Sequence, residues 1–274
     1  MSAENHLKSN PIGIFDSGVG GLTVVREIVN LLPQENIIYF GDTARVPYGT
    51  KSEKTILKFS IEDSEFLYSK KVKMIIVACN TASAVGFSKL EGMFDIPIIN
   101  VIESGAKTAV NASSINRIGV IGTNTTIATK SYDKAIKQLN PKMEIFSRSC
   151  PLFVPLVEEL WLEDKVTEEI AEIYLSYFAD KNIDTLVLGC THYPLLKGIL
   201  RKVMGDKINL IDSAVEISKT TKRILEENNL ICSSGNPGKL TFYFSDLSSN
   251  IKKITNYIIP EKKIDSISET DVNP

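Results

Sequence analysis

Short apolar runs recur along this 274-residue chain, and their spacing constrains the fold more than any other feature. Each run is rich in Ile and Val, and longer stretches with helix-like spacing separate most of them. This alternation is typical of βα units whose parallel strands are buried on both faces. The sequence therefore predicts an α/β fold with strands at 12–15, 37–40, 74–78, 98–102, 118–121, 144–146, 185–188 and 208–211.

The order of these runs repeats about halfway along the chain. Four landmarks of the first half recur in the second at a nearly constant offset of roughly 110 residues, which indicates an internal duplication. The pairs are Ile12 with Ile118, Pro47 with Pro155, Cys79 with Cys190 and Ile102 with Ile211. We expect two pseudo-symmetric parallel-sheet α/β domains with the active site in the cleft between them, although any doubly wound protein has a similar pattern.

The segment beyond about residue 214 has no counterpart in the first half. It contains a stretch with helical spacing, another apolar run at 240–244, and the polar end 266–274. We expect that polar end to be frayed.

Charge and hydropathy exclude several classes of partner. The 31 Lys and Arg residues nearly balance the 33 Asp and Glu residues, and no long run of either sign offers a surface for nucleic acid or anionic lipid. The N-terminus is polar, and no apolar run approaches the roughly 18 residues that a membrane span needs. We expect a cytoplasmic protein with a small-molecule partner, no nucleic acid and no membrane.

Two of the four cysteines occupy matched positions. Cys79 in "VACNTAS" and Cys190 in "VLGCTHY" each follow a predicted strand, where parallel sheets bind ligands. If the halves face each other, the two thiols approach one cleft from opposite sides. Backbone N–H groups at the start of a following helix could hold a carboxylate and lower the pKa of a thiol.

Two opposed thiols suit the inversion of a carbon that bears a hydrogen. A base on one face removes the proton, an acid on the other face delivers one, and fixed donors stabilise the charge that develops between them. The alternative is that each cysteine is a small buried hydrophobe, and we interpret Cys150 and Cys232 in that way. No cysteine belongs to a CxxC motif, so a zinc ribbon is not indicated.

The glycine-rich turn at 15–24, "FDSGVGGLTV", follows the first predicted strand. It fits neither a dinucleotide-binding motif nor a P-loop. Asp16 at the strand end would repel a phosphate, but it could orient an ammonium group or a thiol. Asp16 or Ser17 could equally cap the following helix.

Other polar residues are candidates for ligand contacts. In the loop at 41–49, Tyr48 and Gly49 could offer a hydroxyl and a backbone N–H to a ligand, or the loop could be an ordinary connection. Glu158 occupies the equivalent region of the second half, where a surface carboxylate is the simpler interpretation. His192 is the one histidine expected inside the fold, since His6 lies near the N-terminus.

Six segments together resemble the glutamate racemase family of cofactor-independent aspartate/glutamate racemases. They are "GIFDSGVGGLTV", "YFGDTARVPYGTKS", "VACNTASA", "IGVIGTNTTI", "CPLFVPLVE" and "LVLGCTHYPLL". The resemblance implies that Cys79 and Cys190 are the acid and base at glutamate Cα, without pyridoxal phosphate or a metal. It implies assistance from Asp16 at Cys79, and from Glu158 and His192 at Cys190. The substrate site that it implies comprises Asp16, Ser17, Tyr48, Gly49, Asn80, Thr81, Thr191 and His192.

The resemblance also implies an organisation and a role. The first domain would comprise 1–99 plus 210–274 and the second 100–209, and the enzyme would supply D-glutamate for peptidoglycan. Subunit arrangement varies within the family, so the resemblance implies no particular assembly, and a homodimer is one option. Two segments depart from the family pattern, "ESGA" at 103–106 and "IDSAVEIS" at 211–218, and neither contains a proposed catalytic residue.

Four alternatives remain open at the level of sequence. The substrate could be aspartate or another amino acid rather than glutamate. Cys79, Cys190, His192 and Asp16 could bind zinc. Cys190 with His192 could form a hydrolase, for which Cys79 would be dispensable. A non-catalytic amino-acid binding protein would share the cleft but would have no use for opposed thiols.

Overall fold

The computed structural model describes residues 7–260 and 263–272, and two all-parallel sheets organise this part of the chain. The first sheet has the strand order β10-β9-β2-β1-β3-β4, and the second has the order β6-β5-β7-β8. The strands are β1 Ile12–Asp16, β2 Ile37–Gly41, β3 Met74–Val77, β4 Ile98–Asn100, β5 Arg117–Gly122, β6 Glu144–Ser149, β7 Thr185–Gly189, β8 Asn209–Ile211, β9 Leu240–Phe244 and β10 Ser266–Glu269.

The strand order confirms the predicted fold class and the duplication. The order β2-β1-β3-β4 in the first sheet is repeated as β6-β5-β7-β8 in the second, so β1 corresponds to β5 and β3 to β7. Equivalent strand ends therefore carry Cys79, just after β3, and Cys190, directly after β7.

Helices cover the faces of both sheets, as the spacing between the apolar runs predicts. Their bounds are Leu22–Leu31, Glu53–Ser69, Asn80–Leu90, Val101–Ala112, Asn124–Ala128, Ser131–Leu139, Phe153–Glu158, Lys165–Leu175, Lys197–Met204, Ser213–Glu227 and Ser249–Ile258. Short 3₁₀ turns occupy Tyr48–Thr50, Ser176–Phe178 and Tyr193–Leu196. None of the helices described is long and apolar enough to cross a bilayer.

One detail of the predicted strands is wrong. The apolar run at 98–102 stops being a strand at Asn100, because the Asn100 side chain accepts hydrogen bonds from the N–H groups of Ile102 and Glu103, each at 3.0 Å. This cap starts the helix Val101–Ala112 inside the apolar run.

The end of the chain is more ordered than its composition suggests. β10 pairs in parallel with β9 at the edge of the first sheet, so the expected fraying does not apply to Ser266–Glu269. Backbone pairing with β9 supplies partners that a polar sequence cannot reveal by itself. His6 lies outside the described residues.

The chain passes between the two sheets twice. It leaves the first sheet after β4, and it leaves the second after β8 to form the helix Ser213–Glu227. The predicted division into 1–99 plus 210–274 and 100–209 therefore cuts within β4 and within β8. The division itself stays a prediction, with crossings that lie a residue or two later.

The buried core has separate clusters on the two faces of each sheet. One face of the first sheet packs around Ile14, Ile76 and Phe242, and its other face packs around Phe15, Phe40 and Val77. Similar clusters flank the second sheet. This burial on both faces explains the continuous apolar runs, and it fixes the strand ends from which polar loops project.

Candidate active site

The polar loops at the carboxyl ends of the strands enclose a narrow cavity lined by residues of both halves. The enclosed space measures about 20 Å³, room for little more than one water molecule, so the cavity must widen to admit an amino acid. Its lining residues are Ser17, Val46, Pro47, Tyr48, Gly49, Cys79, Asn80, Thr81, Thr123, Val154, Cys190, Thr191 and His192.

The chemistry of the lining identifies this cavity as the site, despite its size. Two larger surface cavities, of about 370 and 480 Å³, contain neither cysteine nor histidine. The small cavity holds both matched cysteines, and seven of the eight predicted substrate-site residues line it; Asp16 lies behind it. Cys150 and Cys232 are buried but are not among the residues that line it.

Cys79 is the N-cap of the helix Asn80–Leu90. Its sulfur accepts a hydrogen bond from the Ala82 N–H at 3.4 Å, and Sγ lies 3.5 Å from Ser17 Oγ. Burial and the neighbouring Asp16 carboxylate raise the pKa of the Cys79 thiol to about 12, against the lowering effect of the Ser17 and Ala82 hydrogen bonds. The expectation that the helix start would lower the thiol pKa is therefore wrong at Cys79, because burial outweighs it.

Asp16 lies behind the cavity wall, fully buried at the end of β1. Its carboxylate accepts hydrogen bonds from the Gly18 N–H and from Thr191 Oγ1, each at 3.1 Å. Burial raises the pKa of Asp16, although the charge of His192 and these hydrogen bonds oppose the shift. Neither Asp16 nor Ser17 is the N-cap of the next helix; that position is Gly21, whose backbone N–H bonds to the Asp16 carboxylate.

Cys190 lies beside a histidine. Its sulfur is 3.8 Å from His192 Nδ1, and His192 Nε2 is 3.4 Å from Glu158 Oε1, an ion-pair distance without hydrogen-bond alignment. Burial lowers the pKa of His192, but the neighbouring Cys190 and Glu158 outweigh it and raise that pKa well above its ordinary value. The raised pKa favours the protonated imidazole of His192, which places a positive charge beside the Cys190 sulfur.

The glycine-rich turn brings the first half against the Cys190 side of the cavity. A Cβ atom at Gly20 would lie 2.4 Å from Thr191 Oγ1 and 2.5 Å from His192 Nδ1, so only glycine permits this approach. The turn thus serves close packing between the halves rather than phosphate binding. The Thr23 hydroxyl donates to the Gly20 carbonyl at 2.8 Å and also lies 3.4 Å from the Thr191 carbonyl.

Threonine hydroxyls join the halves on the opposite wall. Thr81 Oγ1 lies 3.0 Å from Thr123 Oγ1, which in turn lies 2.9 Å from Thr126 Oγ1. Thr125 Oγ1 also donates to the Gly49 carbonyl at 3.1 Å. Residues from both sheets therefore hold Gly49 and Thr81 in place.

Asn80 presents an unsatisfied donor. Its Oδ1 accepts a hydrogen bond from the Tyr132 hydroxyl at 2.7 Å, whereas its buried Nδ2 has no partner in the protein. Buried donors are normally paired, so an unpaired N–H group in a cavity wall indicates an acceptor on the ligand.

Tyr48 differs from its predicted role. Its ring lines the cavity, but its hydroxyl points away, to Asp42 and to Asp63 Oδ2, the latter at 2.9 Å. Arg45 binds the same two carboxylates and stacks on Phe59. This buried network fixes the loop, so the ring and not the hydroxyl of Tyr48 faces a ligand.

Thr123 and Val154 line the cavity and were not predicted from the sequence. The duplication contains the signal that would find them, because Thr123 in "IGVIGT" corresponds to Ser17 in "IGIFDS". Val154 before Pro155 corresponds in the same way to Val46 before Pro47. Both halves thus contribute equivalent residues to the wall.

The zinc alternative has no support in the geometry. Within residues 7–260 and 263–272, no group of three or more His, Cys, Asp or Glu side chains could hold a metal ion. Asp16 bonds to Thr191 and Gly18, and His192 lies between Cys190 and Glu158. The four proposed ligands therefore have other partners.

Comparison with known proteins gives a consistent result. Residues 12–219 match the Asp/Glu/hydantoin racemase family. The chain is 47% identical to the glutamate racemase of Geobacter metallireducens over 251 residues, which cover 92% of this chain and 93% of that protein.

Structures of glutamate racemases have the same fold. The Francisella tularensis enzyme in complex with D-glutamate has a TM-score of 0.91 at 40% identity, and the match covers 97% of this chain and 99% of the other. A glutamate racemase isoform from Bacillus anthracis has a TM-score of 0.92 at 36% identity, covering 96% and 98%.

Proposed function

The chain belongs to the Asp/Glu/hydantoin racemase family, and from this premise we propose that it interconverts L- and D-glutamate by proton transfer between Cα and two cysteines. One observation carries the proposal: Cys79 and Cys190 follow equivalent strands of the two sheets and line the same cavity. A racemase needs a proton acceptor and a proton donor on opposite faces of one carbon.

The reaction has two proton transfers. The thiolate of one cysteine removes the α-proton, and the electron pair of the C–H bond moves into the carboxylate to give an enolate-like species. The thiol of the other cysteine then protonates Cα from the opposite face. This inverts the carbon and leaves the two cysteines with exchanged protonation states, which the reverse reaction restores.

The charge that develops on the substrate carboxylate requires fixed donors. Asn80 Nδ2 is unpaired in the cavity wall, and the helix Asn80–Leu90 begins beside it with its N–H groups directed outward. Donors placed before the reaction stabilise the enolate-like species without reorganising. The proposed chemistry uses no pyridoxal phosphate and no metal.

Different groups serve the two cysteines. The His192 imidazolium stabilises the Cys190 thiolate, and Glu158 holds the charge on His192. At Cys79, the Asp16 carboxylate favours the neutral thiol, the form that donates a proton to Cα. Asp16 does not line the cavity, so we assign it a positioning and electrostatic role rather than direct contact with substrate.

Glutamate is the favoured substrate because of the relatives. A protein with 47% identity is a glutamate racemase, and a structure with a TM-score of 0.91 was determined with D-glutamate. The remaining predicted contacts are Ser17, Gly49, Thr81 and Thr191, which we propose bind the substrate together with the ring of Tyr48. Aspartate is the specificity control.

The test is a racemisation assay. Protein treated with a chelator and given no pyridoxal phosphate is incubated with L-glutamate, and then with D-glutamate, while circular dichroism follows the optical activity. We expect the signal to decay to zero from both enantiomers, and aspartate to react far more slowly. Stable optical activity with folded protein would refute glutamate racemisation.

The biological setting completes the proposal. We place the enzyme in the cytoplasm, as a homodimer, supplying D-glutamate for peptidoglycan. Deleting its gene should create a growth requirement for D-glutamate, and growth without that supplement would refute the role.

Sedimentation should give about twice the chain mass of 30.3 kDa, and a monomer mass would refute the dimer.

A further inference from the structure

Tyr132 is a buried residue whose hydroxyl reaches the active site from the second half. It lies in the helix Ser131–Leu139, is 1% exposed, and contacts Asn80 Oδ1 at 2.7 Å. Glycines make room for its ring. A Cβ atom at Gly105 would lie 3.1 Å from the hydroxyl oxygen, and one at Gly189 would lie 3.0 Å from Cε2. The side chain of Tyr132 therefore packs closely against Gly105 and Gly189.

The hydrogen bonds around Tyr132 have one consistent direction. The Ser213 side chain also bonds to the Tyr132 hydroxyl, and burial raises the pKa of Tyr132, so the phenol stays neutral with a single proton. If that proton goes to Asn80 Oδ1, the phenol oxygen accepts from Ser213. A chain of this kind, Ser213 to Tyr132 to Asn80, fixes which end of the Asn80 amide is the acceptor.

Fixing the acceptor end determines what Asn80 offers to a ligand. With Oδ1 held by Tyr132, Nδ2 is the end left without a protein partner, and Asn80 lines the cavity while only 2% exposed. Without Tyr132, the amide could turn over and direct an oxygen at a substrate carboxylate, which would repel it.

We propose that Tyr132 is a positioning residue that, supported by Ser213, holds the Asn80 amide with Nδ2 directed at a carboxylate of the substrate. This inference rests on the proposed glutamate racemase activity. Gly105 of "ESGA" and Ser213 of "IDSA" lie together around the phenol, with the Gly105 Cβ position 3.3 Å from Ser213 Cβ.

The experiment is a double-mutant cycle on steady-state kinetics. We expect Tyr132→Phe to lower kcat/KM for glutamate about tenfold, the value of one hydrogen bond to a charged group, with kcat falling as well because the Asn80 donor also stabilises the enolate-like species. In an Asn80→Ala background the same substitution should leave kcat/KM unchanged, because Tyr132 acts through Asn80. Ser213→Ala, a smaller change, should lower kcat/KM by less.

The matched control is Tyr68→Phe, which also removes a phenol hydrogen bond, 2.7 Å long to Asp95, away from the cavity. It should leave KM and kcat unchanged. An equal fall of kcat/KM on Tyr132→Phe in the Asn80→Ala background would overturn the positioning role. Absence of glutamate racemisation by the unmodified protein would instead refute the proposed function.

A spectroscopic measurement tests the positioning role of Tyr132 independently of the racemase activity. The side-chain amide signals of Asn80, assigned by their loss in Asn80→Ala, should shift in ligand-free Tyr132→Phe and stay unchanged in Tyr68→Phe. Unchanged signals in Tyr132→Phe would contradict the inference, whatever the activity of the protein.

Discussion

The two sides of the cavity share a scaffold but differ in charge. Cys79 and Cys190 follow equivalent strands, yet the Cys79 side holds the buried Asp16 carboxylate and the Cys190 side holds the His192 imidazolium. The residue two positions after each cysteine makes much of this difference, since Thr81 in one half corresponds to His192 in the other. Duplication supplies matched positions for the two thiols, and a few substituted side chains then give each thiol a neighbour of different charge.

The largest expected effect is the loss of either thiol. Cys79→Ser and Cys190→Ser should each lower kcat/KM for glutamate by about 10³-fold or more, because a hydroxyl is a far weaker acid and base than a thiol. The racemisation assay measures this, and circular dichroism in the far ultraviolet checks the fold.

Cys232→Ser is the control, because this cysteine is buried but does not line the cavity. It should retain full activity. If Cys79→Ser or Cys190→Ser turned over glutamate near the unmodified rate, the two cysteines would not be a matched acid and base.

A second prediction concerns the cation on the Cys190 side. His192→Asn should lower kcat about 10²-fold, because the Cys190 thiolate loses its positive neighbour, and Glu158→Gln should have a smaller effect of about tenfold. The equilibrium constant between enantiomers is one, so kcat/KM must fall equally in both directions. The asymmetry should instead show in the primary isotope effect of α-deuterated glutamate, larger for one enantiomer. An equal increase of the primary isotope effect for both enantiomers would contradict separate roles for the two thiols.

A third prediction concerns the anion on the Cys79 side. The Asp16 charge contributes to raising the pKa of Cys79 to about 12, so Asp16→Asn should lower that pKa. The rate of Cys79 alkylation by iodoacetamide, followed by peptide mass spectrometry, should then rise at lower pH than in the unmodified protein.

Asp95→Asn provides the control, because Asp95 bonds to Tyr68 away from the cavity. Its profile should match that of the unmodified protein. A shift of the Asp16→Asn profile to higher pH would mean that Asp16 stabilises the thiolate, which is the opposite of its assigned role.

The smallest expected effect concerns the hydrogen bond from Thr191 Oγ1 to Asp16, which joins the two sides of the cavity. Thr191→Val removes the hydrogen bond to Asp16, and we expect kcat/KM to fall about two- to tenfold, the range for one such bond. Thr167→Val, which removes a buried hydroxyl bonded to the Trp161 carbonyl outside the cavity, should leave kcat/KM unchanged. Equal kinetic losses in the two variants would show that the effect is not specific to the link.

Much of this site could be predicted from local sequence. Apolar runs predicted β1 to β8, most clearly where both faces of the strand are buried, as in β1, β3 and β7, and the duplication paired Cys79 with Cys190. The direction of a side chain was harder to predict, as the hydroxyl of Tyr48 shows, because it depends on Asp63 in the middle of the following helix, Glu53–Ser69.

Contacts between distant segments set the remaining features. Tyr132 and Asn80 are 52 residues apart in the sequence, and no local sequence pattern predicts their hydrogen bond. β10 forms only because β9 offers an edge, and the pKa of Cys79 reflects burial that depends on the whole fold.

The most direct test of the two opposed thiols follows the α-proton of L-glutamate in D₂O by NMR during the first turnovers. We predict that newly formed D-glutamate carries deuterium at Cα while the remaining L-glutamate keeps its proton, because each face has its own proton donor and acceptor. Deuterium that enters the remaining L-glutamate as fast as D-glutamate forms would show that one base serves both faces. That result would contradict the account.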